Sequence, residues 1–315
     1  AVLTFAGTNN DNAQVDTTDP VATVVTDPAT AVFVNAASYE IKGTHSEIGV
    51  TVNLYVDDNN DGAADDPVND IGHAIVDADG NWSIPNVALT ADTAHNYVVV
   101  AEDAAGNESA AVDVPTITED SIAPVTVAIT TPATVVSVST STQLIEGTHS
   151  EDGVTVELFA DSDNDGIADN STVLASAEVG AVTTGIWSFA APLTTNTENN
   201  FVVIAKDKAG NVSSAVDVAT ITQDSLAPVV TVTALTTADT TPALAGTVDD
   251  ATATLSLTVA GQTLAPTNNG NGSWTLADNQ LTALANGVYD VEVTATDEQG
   301  NIGTDASSNE LTIDF

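Results

Sequence analysis

The chain has 315 residues, 43% of them hydrophobic and 4% aromatic, and it carries 45 Asp and Glu against 3 Lys and Arg, a formal net charge of −42. That charge repels nucleic acid and anionic lipid, so neither is expected as a partner, and it works against compact packing unless cations collect at the carboxylates. With no cysteine, disulfides and thiol chemistry are excluded. No apolar run is long enough for direct insertion into a bilayer, and no signal peptide opens the sequence, so an export signal is expected outside it. A small extracellular domain without disulfides needs another staple, and metal is the usual one.

Residues 1–19 read as the end of a preceding repeat and a linker, with Ala1-Val2-Leu3-Thr4-Phe5 alternating as a strand does. The string Asp-x-x-x-Pro then recurs as Asp16–Pro20, Asp120–Pro124 and Asp224–Pro228, its prolines 104 residues apart both times. Three domains are expected: 20–123, 124–227 and 228–315. Gly43-Thr44-His45-Ser46-Glu47 returns as Gly147-Thr148-His149-Ser150-Glu151, and in divergent form as Gly246-Thr247-Val248-Asp249-Asp250. Asp103, Asp207 and Asp297 each open an Asp-x-x-Gly-Asn turn, and Trp82, Trp187 and Trp274 each follow a Gly-containing turn.

In the second repeat, strands are predicted near 125–131, 142–148, 154–160, 173–179, 186–190, 200–206 and 213–222. Turn residues separate them regularly, and Val154-Thr155-Val156-Glu157-Leu158 shows period-two alternation. The fold class is therefore all-β, each repeat a two-sheet sandwich with its tryptophan between the sheets. A parallel β-helix has far shorter repeats than these.

Two kinds of acidic cluster stand out. The loop Asp57-Asp58-Asn59-Asn60-Asp61-Gly62-Ala63-Ala64-Asp65 has its partner in Asp161-Ser162-Asp163-Asn164-Asp165-Gly166-Ile167-Ala168-Asp169. Oxygens at positions 1, 3, 5 and 9, with the backbone carbonyl at 7 (Ala63 or Ile167), suit Ca²⁺, and Gly at 6 permits the sharp turn. The pattern departs from an EF-hand, because position 12 is Val68 or Thr172 and the flanks are strands. It is similar to the short calcium loops of thrombospondin type 3 repeats, and Asp66, Asp70 or a neighbouring domain is expected to supply missing oxygens. The competing reading is an Asx-rich turn held by its own side chains.

The second kind lies where domains meet. With strands running alternately down and up, Asp16 and Asp19 come near Glu47 and Asp103. Asp120 likewise comes near Glu151, Asp152 and Asp207, and Asp224 near Asp249, Asp250 and Asp297. Carboxylates gathered from distant segments favour a cation between them. Asp103, Asp207 and Asp297 could instead simply fix their own turns. The third repeat lacks the first kind of loop, having the short hairpin Val259-Ala260-Gly261-Gln262-Thr263 in its place.

The tryptophan-led strands, the Asp-x-x-Gly-Asn turns and the Asp-x-x-x-Pro linkers resemble the bacterial immunoglobulin-like repeats of giant calcium-dependent adhesins, RTX-type and biofilm-associated, over about residues 16–315. The resemblance implies tandem immunoglobulin-like β-sandwich domains in an extended rod, exported by a type I route to the bacterial cell surface. It implies an extender, straightened by Ca²⁺, that projects a distal ligand-binding region. Its partners would be neighbouring repeats of the same chain; a monomer is expected, with surface ligands engaged only through other regions.

Catalytic groups are sparse: no Cys, no Arg, and Ser46 and Ser150 are only turn neighbours of His45 and His149. Those histidines are expected to meet a junction carboxylate or to lie exposed; His73 and His95 are expected at the surface. An enzyme is not expected. The alternative function is a calcium-dependent carbohydrate- or protein-binding adhesive module, which the low aromatic content disfavours. A spacer within a secreted enzyme is a third possibility that flanking sequence would decide.

Overall fold

A computed structural model describes residues 16–151, 153–179 and 185–315. The Ala1–Phe5 strand and Asp152 lie outside the described residues. Among the described residues every regular element is a strand, and no helix is long and apolar enough to cross a membrane. The chain divides into two compact units, one of Ala1–Pro124 with Lys206–Ser213, the other of Val125–Ala205 with Ser214–Phe315.

In the first unit, one sheet joins Val24–Asp27, Ser38–Thr44 and Asn81–Ala88. The other runs in the order Val32–Val34, Val112–Glu119, Ala94–Glu102, Thr51–Val56 and Gly72–Ile75. Ile41, Trp82 and Ile84 from the first sheet and Val52, Leu54, Val99 and Ile117 from the second form one core. Alternation produces this, since every second side chain of a strand faces inward. A sandwich of two largely antiparallel sheets closed over such a core is the immunoglobulin-like arrangement.

The second unit contains two more sandwiches with separate cores, one centred on Ile145, Leu158, Trp187 and Ile221, the other on Leu257, Trp274, Val293 and Leu311. The predicted strands of the second repeat appear as Ala128–Thr131, Thr142–Thr148, Thr155–Ala160, Ala175–Glu178, Ile186–Pro192 and Phe201–Lys206. The expected strand at 213–222 is broken into Val216–Asp217 and Ile221–Gln223.

The Gly-Thr pairs of the repeats gain a physical meaning. A Cβ added at Gly43 would stand 2.1 Å from Trp82 Cζ2, and one at Gly147 would stand 2.3 Å from Trp187 Cζ2. Each indole lies flat on the bare glycine of the neighbouring strand, because the registers pair Gly43 with Trp82, Gly147 with Trp187 and Gly246 with Trp274. All three tryptophans are at most 3% exposed, as an inter-sheet position requires.

Sequence periodicity did not reveal the short strands Val32–Val34, Val136–Val138 and Leu235–Thr237. Each pairs in parallel with the last strand of its own sandwich, for example Val32 with Ile117 and Val34 with Glu119.

Candidate metal-binding turns

Each acidic loop leaves a sheet strand, Thr51–Val56 or Thr155–Ala160, and returns as Gly72–Ile75 or Ala175–Glu178. Gly62 and Gly166 both take φ +83°, and Asn60 and Asn164 take φ 53° and 57°, so the turn chemistry foreseen in the sequence is present. The first aspartate is buried, Asp57 at 1% and Asp161 at 0% exposure. Asp161 accepts the N–H groups of Asp165 (3.1 Å) and Gly166 (3.0 Å); Asp57 accepts those of Asp61 (3.1 Å) and Gly62 (3.0 Å). Asp169 accepts from Ser162 N–H at 2.9 Å and Oγ–H at 2.7 Å, and Asp65 accepts from Asp58 N–H at 2.7 Å. These bonds shape the loop and use only part of each carboxylate's lone-pair capacity.

Oxygens of Asp161, Asp163 and Asp169 lie within 4.8 Å of one another. Among the described residues they are the one group of three carboxylates so arranged. Asp165 faces Ile167 N–H at 2.9 Å instead. Asp165, with Asp169 and Asp161 behind it, pushes the Asp163 carboxyl up, whereas Ser162 holds Asp169 below the usual range. In the first loop Asn59 stands where Asp163 does and bonds to Asp61 N–H at 3.0 Å. Ala63 bonds Asp61 Oδ1 through its N–H at 3.0 Å. Asp66 is engaged with Val68 and Asn69, and Asp70 with His73 Nδ1 in a surface hydrogen bond of 2.9 Å.

Sequence reasoning missed Asp113 and Asp217. A Cβ at Gly62 would be 3.3 Å from Asp113 Oδ1, and one at Gly166 would be 3.4 Å from Asp217 Oδ1. Each therefore places one more carboxylate against its loop, and their identical offset of 104 was the available signal.

The junction residues occupy defined places. Asp16, Glu47 and Asp103 line one hollow, and Asp224, Asp249, Asp250 and Asp297 line another. Their oxygens do not converge as those of Asp161, Asp163 and Asp169 do. Local bonds absorb many of them. Asp103 accepts from Asn107 N–H at 2.9 Å and Nδ2–H at 2.8 Å, and Asp207 and Asp297 do the same with Asn211 and Asn301. The Asn107 side chain holds the Asp103 carboxyl below its ordinary range. At Asp297 burial pushes upward, and the Asn301 bonds outweigh it. Asp16, Asp120 and Asp224 each cap the N–H two residues on, at 3.0, 3.1 and 3.0 Å. Asp19 is exposed.

What ties linker to turn is the asparagine, which the sequence reading passed over. Asn107, Asn211 and Asn301 donate from Nδ2 to the backbone carbonyls of Asp16 (3.3 Å), Asp120 (2.9 Å) and Asp224 (3.1 Å). Asn35 also bonds Asn211, and the Lys208 ammonium sits 5.6 Å over the Phe33 ring. The residue after each linker proline is gripped too: Glu47, Glu151 and Asp249 accept the N–H of Val21 (3.4 Å), Val125 (2.9 Å) and Val229 (2.7 Å). His45 and His149 are neither exposed nor paired with a carboxylate, contrary to expectation. They are 6% and 5% exposed and donate from Nε2 to Val21 O and Val125 O, both at 2.8 Å, while Nδ1 accepts from Glu47 or Glu151 N–H. Each imidazole thus joins the residue after the linker proline to the Gly-Thr-His-Ser-Glu turn. His73 is exposed, and His95 is half-buried and stacked on Tyr97 at 6.0 Å.

Fold and turns together define a series of immunoglobulin-like β-sandwich modules. Residues 231–315, within the third sandwich, match the family model of the bacterial Ig-like domain. Among solved structures, the chain is similar to part of a 1.5-MDa bacterial ice-binding adhesin, at 21% identity over 94% of this chain and 99% of that chain, with a TM-score of 0.36. It is also similar to a Ca²⁺-stabilised adhesin of an Antarctic bacterium that binds ice, at 27% identity over 93% and 74%, TM-score 0.37. The FN1–FN3 domains of chicken CNTN1 match at 11% identity over 94% and 99%, TM-score 0.34. No curated protein matches the sequence.

Proposed function

We propose that this chain is a non-enzymatic, calcium-rigidified extender of a large bacterial cell-surface adhesin, built of modules 20–123, 124–227 and 228–315 and holding a distal ligand-binding region away from the cell. The observation that carries the reading is the convergence of Asp161, Asp163 and Asp169 within 4.8 Å, on a loop whose sequence recurs 104 residues earlier. Like charges so close are relieved by a cation, and an all-oxygen donor set with a glycine-hinged turn favours Ca²⁺. Asp57, Asn59, Asp61 and Asp65 would form the equivalent site in the first module. The junction carboxylates, with part of their lone-pair capacity already used, would bind further ions more weakly. The family match at 231–315 supports a bacterial surface setting; export by a type I route belongs to the same proposal.

Small-angle scattering and thermal melting in calcium and in chelator test it. Calcium should give the profile of a stiff particle three modules long and a higher Tm, and Asp161→Asn with Asp163→Asn should remove much of the Tm gain. Identical profiles and melting curves in both buffers refute rigidification by calcium.

A further inference from the structure

The third sandwich differs from the other two at one position beside its core. In the first, Thr116 Oγ1 donates to Asn96 Oδ1 at 2.8 Å; in the second, Thr220 Oγ1 donates to Asn200 Oδ1 at 2.8 Å. Each pair is neutral, and the first lies where the register between Ala94–Glu102 and Val112–Glu119 slips. In the third sandwich the pairing of Tyr289 with Leu311 sets Asp290 and Glu310 at the same place. Two carboxylates replace an amide and a hydroxyl.

Glu310 is only 5% exposed. Its Oε2 accepts Val291 N–H at 3.0 Å, but its buried Oε1 has no hydrogen-bond partner among the described residues. Buried polar atoms are almost always paired, so this one calls for a ligand. Burial pushes the Glu310 carboxyl up, and the Val291 N–H together with the Ser307 side chain and Asp290, which the register sets opposite, outweighs it. Asp290 is exposed and accepts Asn309 N–H at 3.2 Å through Oδ1, which leaves Oδ2 unassigned; the Ser307 hydroxyl donates to Asp305 at 2.7 Å. The donors are all oxygen, and the outer members face water. No counter-charge can come from the module itself, because residues 228–315 contain no Lys, Arg or His.

We infer that Glu310 and Asp290, with the Ser307 hydroxyl, hold one hard divalent cation of the Ca²⁺ or Mg²⁺ class at the edge of the third sandwich's core. Glu310 Oε1 is the inner ligand, and water completes the coordination sphere on the exposed side. The site shares no residue with the acidic loops or the junction hollows, so it stands or falls separately from them.

The first two sandwiches supply the control. The double variant Asp290→Asn with Glu310→Thr recreates the neutral pair that this chain already folds around twice. Equilibrium dialysis of the full chain with Ca²⁺, and separately with Mg²⁺, should show one bound ion fewer per chain for the variant. The arm that loses the ion identifies the metal. Hydrogen exchange of peptides spanning 287–296 and 305–313 should slow several-fold on adding that ion to the parent and stay unchanged in the variant. An unaltered ion count in both arms, with the variant at least as protected as the parent in chelator, overturns the site and leaves a pair that shares a proton. If the double variant loses core protection in chelator, Asp290→Asn alone gives the same reading. The loop variants Asp161→Asn and Asp163→Asn must leave this ion in place, which keeps failure here distinct from failure of the loop sites.

Discussion

The three buried tryptophans differ in what receives the indole N–H, and this yields a reciprocal test. Trp82 donates to Thr23 Oγ1 at 2.7 Å, Thr23 in turn donates to Thr44 O at 3.1 Å, and Trp274 donates to Thr231 O at 2.9 Å. Trp187, 1% exposed, has no partner for Nε1 among the described residues. Val127 stands where Thr23 does, since the register pairs Val24 with Thr44 and Ala128 with Thr148. Thr23→Val orphans a buried donor, which costs roughly 1–3 kcal/mol. The extra buried methyl returns about 0.8 kcal/mol. The first sandwich should therefore lose between about 0.2 and 2 kcal/mol, at most a roughly 30-fold shift in its opening equilibrium. Val127→Thr works in reverse. Its hydroxyl can accept from Trp187 and donate to Thr148 O, and the second sandwich should gain about 1 kcal/mol once the methyl loss is subtracted. Native-state hydrogen exchange read by mass spectrometry resolves the modules. Peptides from Ser38–Thr44 and Asn81–Ala88 should exchange faster in Thr23→Val, and peptides from Thr142–Thr148 and Ile186–Pro192 slower in Val127→Thr. If Val127→Thr speeds exchange, or Thr23→Val leaves it unchanged, the hydrogen bond is not what distinguishes the two modules.

Gly147→Ala forces a Cβ to within 2.0 Å of Ala128 O and 2.3 Å of the Trp187 ring, so the second sandwich should lose about 3 kcal/mol, read as faster exchange there with the first sandwich unaffected. Carboxyl titration by NMR in chelator should place Asp103 and Asp297 below the ordinary 3.8 and Asp163 above it. The signs then oppose: Asp103 and Asp297 support the fold above pH 3.8 and cease to as pH falls through their lower values, whereas Asp163 opposes the cation-free fold until it is protonated. Adding Ca²⁺ should carry the Asp163 midpoint below 3.8, and calcium binding should weaken as pH falls. Asn301→Ala removes the bond to Asp224 O, and exchange at residues 224–229 should rise several-fold in chelator with the third core unchanged; equal protection would show that the asparagine does not hold the linker.

Strand order, the sandwich and the inward tryptophans were legible because alternation and turn residues are local signals, repeated at a constant offset. The acidic, glycine-hinged loop was legible for the same reason, with its carboxylates inside nine consecutive residues. What escaped depends on residues far apart in the chain. The parallel partners Val32 and Ile117 are separated by most of a module, and three residues are too few to show a period. Asp113 and Asp217 lie on the last strand, and only the folded sheet brings them against Gly62 and Gly166. His45 looked like a surface residue in a polar string, yet the carbonyl of Val21 fixes it inside. Asp290 and Glu310 carry no local signal in the sequence; the Asn–Thr pairs of the other modules show what occupies that place there.

The parallel run of each module's short early strand beside its final strand has a mechanical consequence. A pull on the two ends of a module drags these neighbours in opposite directions along their length. The rungs joining Val32–Val34 to Ile117–Glu119 then resist together in shear, whereas a hairpin opened from its tip gives way one rung at a time. A chain of such modules under tow, as in flowing water, would stretch its linkers before surrendering any core.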